Sequence, residues 1–224
     1  MIPFSKRAFK FLPSTNAYLK KHYKKIADFT VVIAEEQGNG YGRKGRAWHS
    51  PKGGLWFSFI VSTNDPFFWI MCSSVSIVDV FPELKIKWPN DVYHKKRKIA
   101  GILSERIEDR IIVGIGINVN NKIPSDLEDK AESLSAIYNK EFNVQKVLDK
   151  ILKKISENVS EPENIILKWK NYSVILGKRI TIKKGEMLVE GIVEDLAEDG
   201  SIIVSNPNHR EKITYGDIIN WEEI

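Results

Sequence analysis

The stretch Ile111-Ile112-Val113-Gly114-Ile115-Gly116-Ile117-Asn118-Val119-Asn120 constrains this chain more than any other. Side chains on a β-strand alternate between faces. Ile111, Val113, Ile115, Ile117 and Val119 therefore share one face, which builds core, while Gly114, Gly116, Asn118 and Asn120 share the other. That second face is bare at its centre and polar at its end. Two readings of it stand: a flat ligand lies on it with amides at its rim, or a helix packs closely against the glycines.

A second stretch, Gln37 to Trp48, carries four glycines and three cations in twelve residues, with no acid among them. Glycines let backbone N–H groups converge, and such a nest binds anions. Arg43, Lys44 and Arg46 add fixed positive charge, so the stretch points to an anion site, the alternative being a flexible hairpin loop. Gly40, Gly42 and Gly45 satisfy a dinucleotide-type G-x-G-x-x-G. The flanks are strands (Phe29 to Glu35 before, Leu55 to Val61 after), so no helix N-terminus is available to a phosphate. The P-loop pattern fails because Arg46-Ala47 follows Gly45, and no His-Arg-Asp or Asp-Phe-Gly of a protein kinase is present.

Along the chain, Ser14-Thr15-Asn16 precedes a helix over Ala17 to Ile26. Capping explains one of these polar residues, and a ligand contact is the other reading for the rest. An apolar helix spans Phe67 to Phe81. Lys85-Ile86-Lys87-Trp88 alternates as a strand does and stops at Pro89-Asn90-Asp91, and Val92 to Arg97 reads as a hairpin tip. Lys98 opens the next strand, Lys98 to Glu105, which holds Gly101. Asn121 to Ser135 is polar and without period, a mobile loop beside the bare face. An amphipathic helix covers Val144 to Val159 and another runs from Pro162 to Tyr172. From Leu176 the texture becomes short β segments: Lys178 to Lys183, Glu186 to Glu194, Ser201 to Ser205 and Glu211 to Tyr215.

Composition narrows the classes. The single cysteine, Cys72, excludes an internal disulfide and sits in an apolar run as a structural thiol. That run is too short and too interrupted by Ser73, Ser74, Ser76 and Asp79 to cross a bilayer, and Met1 to Arg7 lacks the order of a secretion signal, so a cytoplasmic protein without membrane contact is expected. The net charge of +5 is spread along the chain, which fits a solvated surface better than a nucleic-acid footprint.

Ser14-Thr15-Asn16, the glycine–arginine loop through Trp48, Lys87-Trp88-Pro89-Asn90-Asp91, Lys98-Ile99-Ala100-Gly101-Ile102-Leu103 and Gly114-Ile115-Gly116-Ile117-Asn118 occur in one order with one spacing. Each is weak alone; together they closely resemble biotin protein ligases across nearly the whole chain. The resemblance implies an α+β fold: a class II synthetase-like catalytic domain with a mixed, largely antiparallel sheet and helices (1–175), and a small SH3-like β-barrel domain (176–224). It implies that biotin and ATP with Mg²⁺ yield biotinyl-5′-AMP, whose acyl group passes to a lysine of a biotin carboxyl carrier protein domain. A homodimer is expected by the same analogy, and DNA binding is not, because too little chain precedes Ser14 for a winged helix.

Carried over by motif position, Ser14, Thr15, Asn16, Gln37, Gly40, Tyr41, Gly42 and Arg43 would surround biotin over a floor of Gly101, Gly114 and Gly116. Lys98 would stand between the biotin carboxylate and the α-phosphate. Lys98 and Arg43 are the expected catalytic residues, and both would also touch the nucleotide, along with Arg46, Trp48, Asn90, Asp91 and Asn118. No dedicated metal-ligand set is expected; Asn90 or Asp91 would position Mg²⁺ or the incoming lysine. Tyr41 departs from the arginine commoner in the family loop, and the segment after Asn121 lacks the tryptophan that some members stack on adenine. A lipoate–protein ligase of related fold is the alternative. Lys98 and Gly101 should face opposite ways in a regular strand, and a bulge at Ala100-Gly101 would reconcile them.

Overall fold

The structure, a computed structural model, describes residues 2–207 and 209–222. In chain order the elements are β1 (Ser5–Leu12), α1 (Thr15–His22), β2 (Thr30–Gln37), β3 (Leu55–Ser62), α2 (Pro66–Val80), β4 (Lys85–Lys87), β5 (Asp91–His94), β6 (Arg97–Ile107), β7 (Arg110–Ile117), α3 (Leu134–Tyr138), α4 (Val144–Val159), α5 (Ile165–Tyr172), β8 (Arg179–Lys184), β9 (Met187–Leu196), β10 (Ile202–Asn206), β11 (His209–Ile213) and β12 (Asp217–Glu222). Strands β1 to β7 make a sheet of order β1-β2-β3-β7-β6-β5-β4, antiparallel except for the parallel β1–β2 pair. Strands β8 to β12 make a second, antiparallel sheet of order β11-β10-β9-β8-β12. This is the α+β arrangement expected, with one qualification. The expected barrel is a five-stranded sheet in which, among the described residues, no ladder joins β11 to β12.

The central strands are apolar on both faces because helices cover both faces. From β3, Leu55, Phe57, Phe59 and Val61 join the large core with α2 and α4, while Ile60 joins Leu19 of α1 and Val32 on the opposite side. α4 presents Val147, Leu148, Ile151, Leu152 and Ile155 to that core at helical spacing, and Asn143 caps it by accepting from the Lys146 N–H at 2.9 Å. α2 starts at Pro66, one residue before the expected start, because Asp65 accepts from the amides of Phe67 and Phe68. Cys72 is fully buried in α2, and burial pushes its thiol up to about 12, which suits a structural thiol.

Three strands escape the sequence reading. β1 has six residues exposed out of eight, so it shows no alternation, and its order comes from parallel pairing with β2. The supposed hairpin tip from Val92 is already strand β5, and the reversal is confined to Lys95-Lys96, with Lys95 at φ +52°. β12 follows Gly216 and pairs with β8. The two sheets are tied by the Trp88 indole N–H, which donates to the Gly200 carbonyl at 2.8 Å, and by the ion pair of Lys170 with Asp195 at 2.7 Å.

Ile151 is fully buried in the large core, on the helix that packs against α2. Ile151→Ala is expected to lower unfolding stability by about 2–5 kcal/mol in urea titration; a loss under about 1 kcal/mol would mean that α4 packs far more loosely than its burial indicates.

Candidate active site

β6 and β7 bring Gly101 opposite Gly116 across the ladder, with Gly114 two residues along and opposite Leu103. The bare face is therefore a continuous patch on the side of the sheet that α1 only partly covers. It is occupied by the chain's own side chains. A Cβ at Gly114 would collide with the Asn16 amide, and one at Gly116 with the indole nitrogen of Trp48; at Gly101 it would lie 3.3 Å from both Trp48 and the Lys98 ammonium. Close packing by a helix is realised at Gly114 through Asn16 of α1, and at Gly116 the flat group against the sheet is the chain's own indole. The Trp48 indole nitrogen is buried without a hydrogen-bond partner among the described residues. An unmet donor of this kind costs about 1–3 kcal/mol, which a ligand acceptor would recover.

Lys98 and Gly101 do share a face, through a bulge placed differently from expectation. Val92 opposes Ala100 while the next residue, Tyr93, opposes Lys98, so Ile99 is the extra residue, not Ala100-Gly101. Ile99 and Ala100 both turn into the core, which leaves Lys98 and Gly101 free for the cleft. The Lys98 ammonium pairs with Asp91 at 2.7 Å and lies 5.0 Å from the centre of the Trp48 ring. Its backbone is held by the segment expected to be a loose loop: the Lys98 N–H donates to Lys130 and its carbonyl accepts from Glu132. That segment contains a short 3₁₀ turn at Ser125–Leu127, and Ile123, Pro124 and Leu127 give the cleft an apolar wall.

The polar residues at the start of α1 divide their work. Ser14 is the N-cap, accepting from the Ala17 N–H at 3.3 Å. Thr15 binds Gln37 through both its N–H (2.8 Å) and its hydroxyl (3.2 Å), and its hydroxyl also meets Ser58 at 2.6 Å. Asn16 donates to Glu105 at 2.7 Å and accepts from Ser58 at 2.5 Å. All three are buried, so their polarity answers a network and not solvent.

Arg43 donates to the Asn90 side chain and to the Gly216 carbonyl, each at 3.1 Å. Arg46 and Lys44 pair with Asp217 at 2.8 and 2.9 Å. Lys44 itself takes φ +57°, which turns the loop back on itself. These groups enclose a cavity of about 390 Å³. Of the residues singled out in the sequence, Ser14, Thr15, Asn16, Gln37, Tyr41 and Gly42 line it. Arg43, Arg46, Trp48, Asn90, Asp91, Lys98, Gly101, Gly114, Gly116 and Asn118 line it as well. Gly40 alone lies outside: a Cβ there would press on the Ser50 hydroxyl at 2.5 Å and the Trp48 carbonyl at 2.6 Å, so it serves the base of the loop and not a ligand.

Sequence reasoning missed four residues. Ser58 was legible as the one polar residue within the apolar run of β3. Glu105 ends an alternating strand and gave no sign that three side chains converge on it. Lys87 is largely buried, makes no ion pair among the described residues, and lies 4.5 Å from the centre of the Trp221 ring. Burial lowers its pKa, with Asp91 opposing and Lys98 reinforcing. Asp217 comes from the second sheet, and no local pattern connects it with residues 43–46.

Burial alone would raise the Asp217 carboxyl. Hydrogen bonds from Lys44 and Arg46 and the charges of Arg46 and Arg43 outweigh it, and hold the group at about 2 against an ordinary value of 3.8. A depressed carboxylate stabilises the fold above its unfolded pKa and loses that contribution as pH falls through the folded value. The melting-temperature gap between wild type and Asp217→Asn is therefore expected to be full above about pH 4 and to close towards pH 2; a gap constant over that window would show that the loop cations do not act on this carboxylate.

Comparison with known proteins agrees with this geometry. Residues 8–121 match the biotin/lipoate A/B protein ligase family, and residues 175–221 match the biotin protein ligase C terminal domain. The bifunctional ligase/repressor BirA of Bacillus subtilis is 31% identical over 84% of this chain, which spans 65% of that relative's length. The biotin–[acetyl-CoA-carboxylase] ligase of Mycobacterium tuberculosis is 26% identical over 92% of this chain and 85% of its own length. Among solved structures, the biotin protein ligase from Aquifex aeolicus in complex with biotin and ATP superimposes with a TM-score of 0.88 at 30% identity, covering 98% of this chain and 99% of that one. A glycine-floored cleft, a cation-bearing glycine loop and the two matched segments together place the chain in the biotin/lipoate A/B protein ligase family.

Proposed function

We propose that this chain is an ATP-dependent biotin–protein ligase, which activates biotin as biotinyl-5′-AMP and passes the acyl group to a lysine of a biotin carboxyl carrier protein domain. The observation that carries the reading is that Lys98, Arg43 and the glycines Gly101, Gly114 and Gly116 line one cleft. Joining a carboxylate to a triphosphate requires two anions to be held together against their repulsion, and charge to be stabilised as the bond to the leaving pyrophosphate breaks. It requires no enzyme nucleophile. The match of residues 175–221 to the C-terminal domain of biotin protein ligases supports biotin over lipoate as the acid.

In this reading the carboxylate oxygen attacks the α-phosphorus and pyrophosphate departs; the carrier's amine then attacks the acyl carbon and AMP departs. Lys98 neutralises charge on the α-phosphate and carboxylate, and Arg43 and Arg46 bind the phosphates. The polar network of Thr15, Gln37 and Asn16, beside the capping hydroxyl of Ser14, supplies donors and acceptors for a ureido ring. Trp48 offers the unmet indole N–H, Asn118 stands at the rim, and the wall of Ile123, Pro124 and Leu127 is our candidate cover for adenine in place of a stacked tryptophan. Among the described residues no group of three His, Cys, Asp or Glu side chains could hold a metal. Mg²⁺ commonly binds one or two carboxylates together with substrate phosphates, so it would enter with ATP, with Asp91 and Asn90 as the available acceptors. We place the catalytic unit at 1–175 and the smaller unit at 176–224, a division supported by the start of β8 at Arg179. No helix among the described residues is long and apolar enough to cross a membrane, which is compatible with work in the cytoplasm. The outer side of β1, unpaired at the sheet edge, is a candidate contact for a homodimer.

Incubating the chain with ATP, biotin and a carrier domain should raise the carrier's mass by one biotinyl group, and an unchanged mass under all conditions would end the proposal. Lys98→Ala is expected to cut ATP–pyrophosphate exchange by roughly 10²–10³-fold while the circular dichroism spectrum stays native; exchange at the wild-type rate would remove Lys98 from the chemistry. Arg43→Gly is expected to retain adenylate synthesis but to label lysines of a bystander protein, and strict confinement of label to the carrier would count against a retaining role for Arg43.

A further inference from the structure

The segment from Gly38 to Ala47 contains no buried residue. A loop without apolar anchoring is held only by its polar ties, and these set how readily it opens. Its base is held by backbone bonds, from the Gly38 N–H to Leu12 and from the Asn39 N–H to Pro13, and two side-chain ties of different chemistry reach from its middle to the rest of the chain. On one flank Arg43, Lys44 and Arg46 bind the Gly216–Asp217 turn and Asn90. On the other flank the Tyr41 hydroxyl donates to Glu105 of β6 at 3.0 Å. Glu105 is itself fixed by Lys20 at 2.6 Å and by Asn16 at 2.7 Å, and Lys20 lies 5.5 Å from the centre of the Tyr41 ring.

The two ties respond differently to an anionic ligand. A phosphate in the cleft competes with Asp217 for the same guanidinium groups and so weakens the first tie. It has no such claim on a phenol bonded to a carboxylate. Burial first, and the charge of Glu105 next, raise the Tyr41 phenol above its ordinary value, so it stays a protonated donor at neutral pH. When the cleft is filled, the Tyr41–Glu105 bond is the side-chain tie that still fastens the middle of the loop to the large sheet.

We propose that Tyr41 is a positioning residue whose hydroxyl clasps the glycine loop onto Glu105 and thereby sets how slowly a bound acyl-adenylate leaves. The proposal rests on the ligase reading for the identity of the ligand, but not for the clasp itself. A guanidinium at position 41 could also reach a carboxylate, whereas a phenyl ring could not donate to it.

The test uses the full chain as wild type, Tyr41→Phe and Tyr41→Arg. Hydrogen exchange of the 38–47 amides without ligand should be about ten-fold faster in Tyr41→Phe, as expected for losing one hydrogen bond to a charged group, and near wild type in Tyr41→Arg. With biotin and ATP present, release of adenylate, read as labelling of a bystander protein, should rise by a similar factor in Tyr41→Phe and return with Tyr41→Arg. A purely structural role would lower the melting temperature of Tyr41→Phe without this pattern of rescue. Wild-type loop exchange in Tyr41→Phe, or a Tyr41→Arg variant that behaves like Tyr41→Phe, overturns the clasp. Failure of the wild type to form any adenylate overturns the ligase reading instead, and the ligand-free exchange still decides the clasp.

Discussion

Arg43, Arg46, Lys87, Lys98 and Lys130 line one cleft with Lys44 beside Arg43, and two carboxylates, Asp91 and Asp217, answer them. Like charges brought together repel, and the repulsion grows as water is displaced from between them. The fold must therefore hold this cluster by other means, and the means are visible. Lys98 is fixed through its backbone to the Lys130–Glu132 segment, Arg43 through Asn90 and the Gly216 carbonyl, and Lys87 through the faces of Trp221 and Tyr93. The excess of positive charge stands ready for a ligand that brings several negative charges at once, which is what a triphosphate and a carboxylate supply.

The same cleft depends on what is absent from β6 and β7. Had Gly114 or Gly116 carried a side chain, Asn16 or Trp48 would be displaced, and one at Gly101 would crowd Lys98 and Trp48 at 3.3 Å. The bulge at Ile99 complements those glycines: it sends two successive residues into the core and so lets a lysine and a glycine share the cleft face three positions apart. Neither device works alone, because Lys98 without the bulge would point away from the glycine patch.

How much of this could be read from the sequence follows from the range of the interactions. Period-two alternation in β7 and helical spacing in α4 are local, and the structure reproduces both, except that β7 stops at Ile117, so Asn118 and Asn120 lie past the strand and Asn120 bonds Phe142. The glycine patch was legible for the same reason, as were the capping by Ser14 and the burial of Cys72. The existence of a bulge followed from parity, but its position did not, since it is fixed by how Val92 and Tyr93 pair across the ladder. β1 was illegible because an exposed edge strand has no apolar period, and Asp217 because its partners lie more than 170 residues away in the chain. Glu105 lies between these cases: its place on a strand was readable, and its three partners from α1 and the loop were not.

The small sheet is thereby more than an appendage. Its Gly216–Asp217 turn reaches the glycine loop, Trp221 covers Lys87, and Gly200 accepts from Trp88. Each of these contacts falls on a residue of the cation-bearing loop or of the Lys87-Trp88 segment, so the sheet meets the larger unit at the cleft as well as at α5, where Lys170 pairs with Asp195. Removing it would strip Asp217 from three cations and expose Lys87 to water. The cluster would then lose the carboxylate that steadies Lys44 and Arg46, and the side-chain ties of the loop would come down to Tyr41 and Asn90, with backbone bonds holding only its base. The charge of the cleft and the docking of the second sheet are in this sense one constraint, because the carboxylate that pairs with the loop's cations belongs to that sheet.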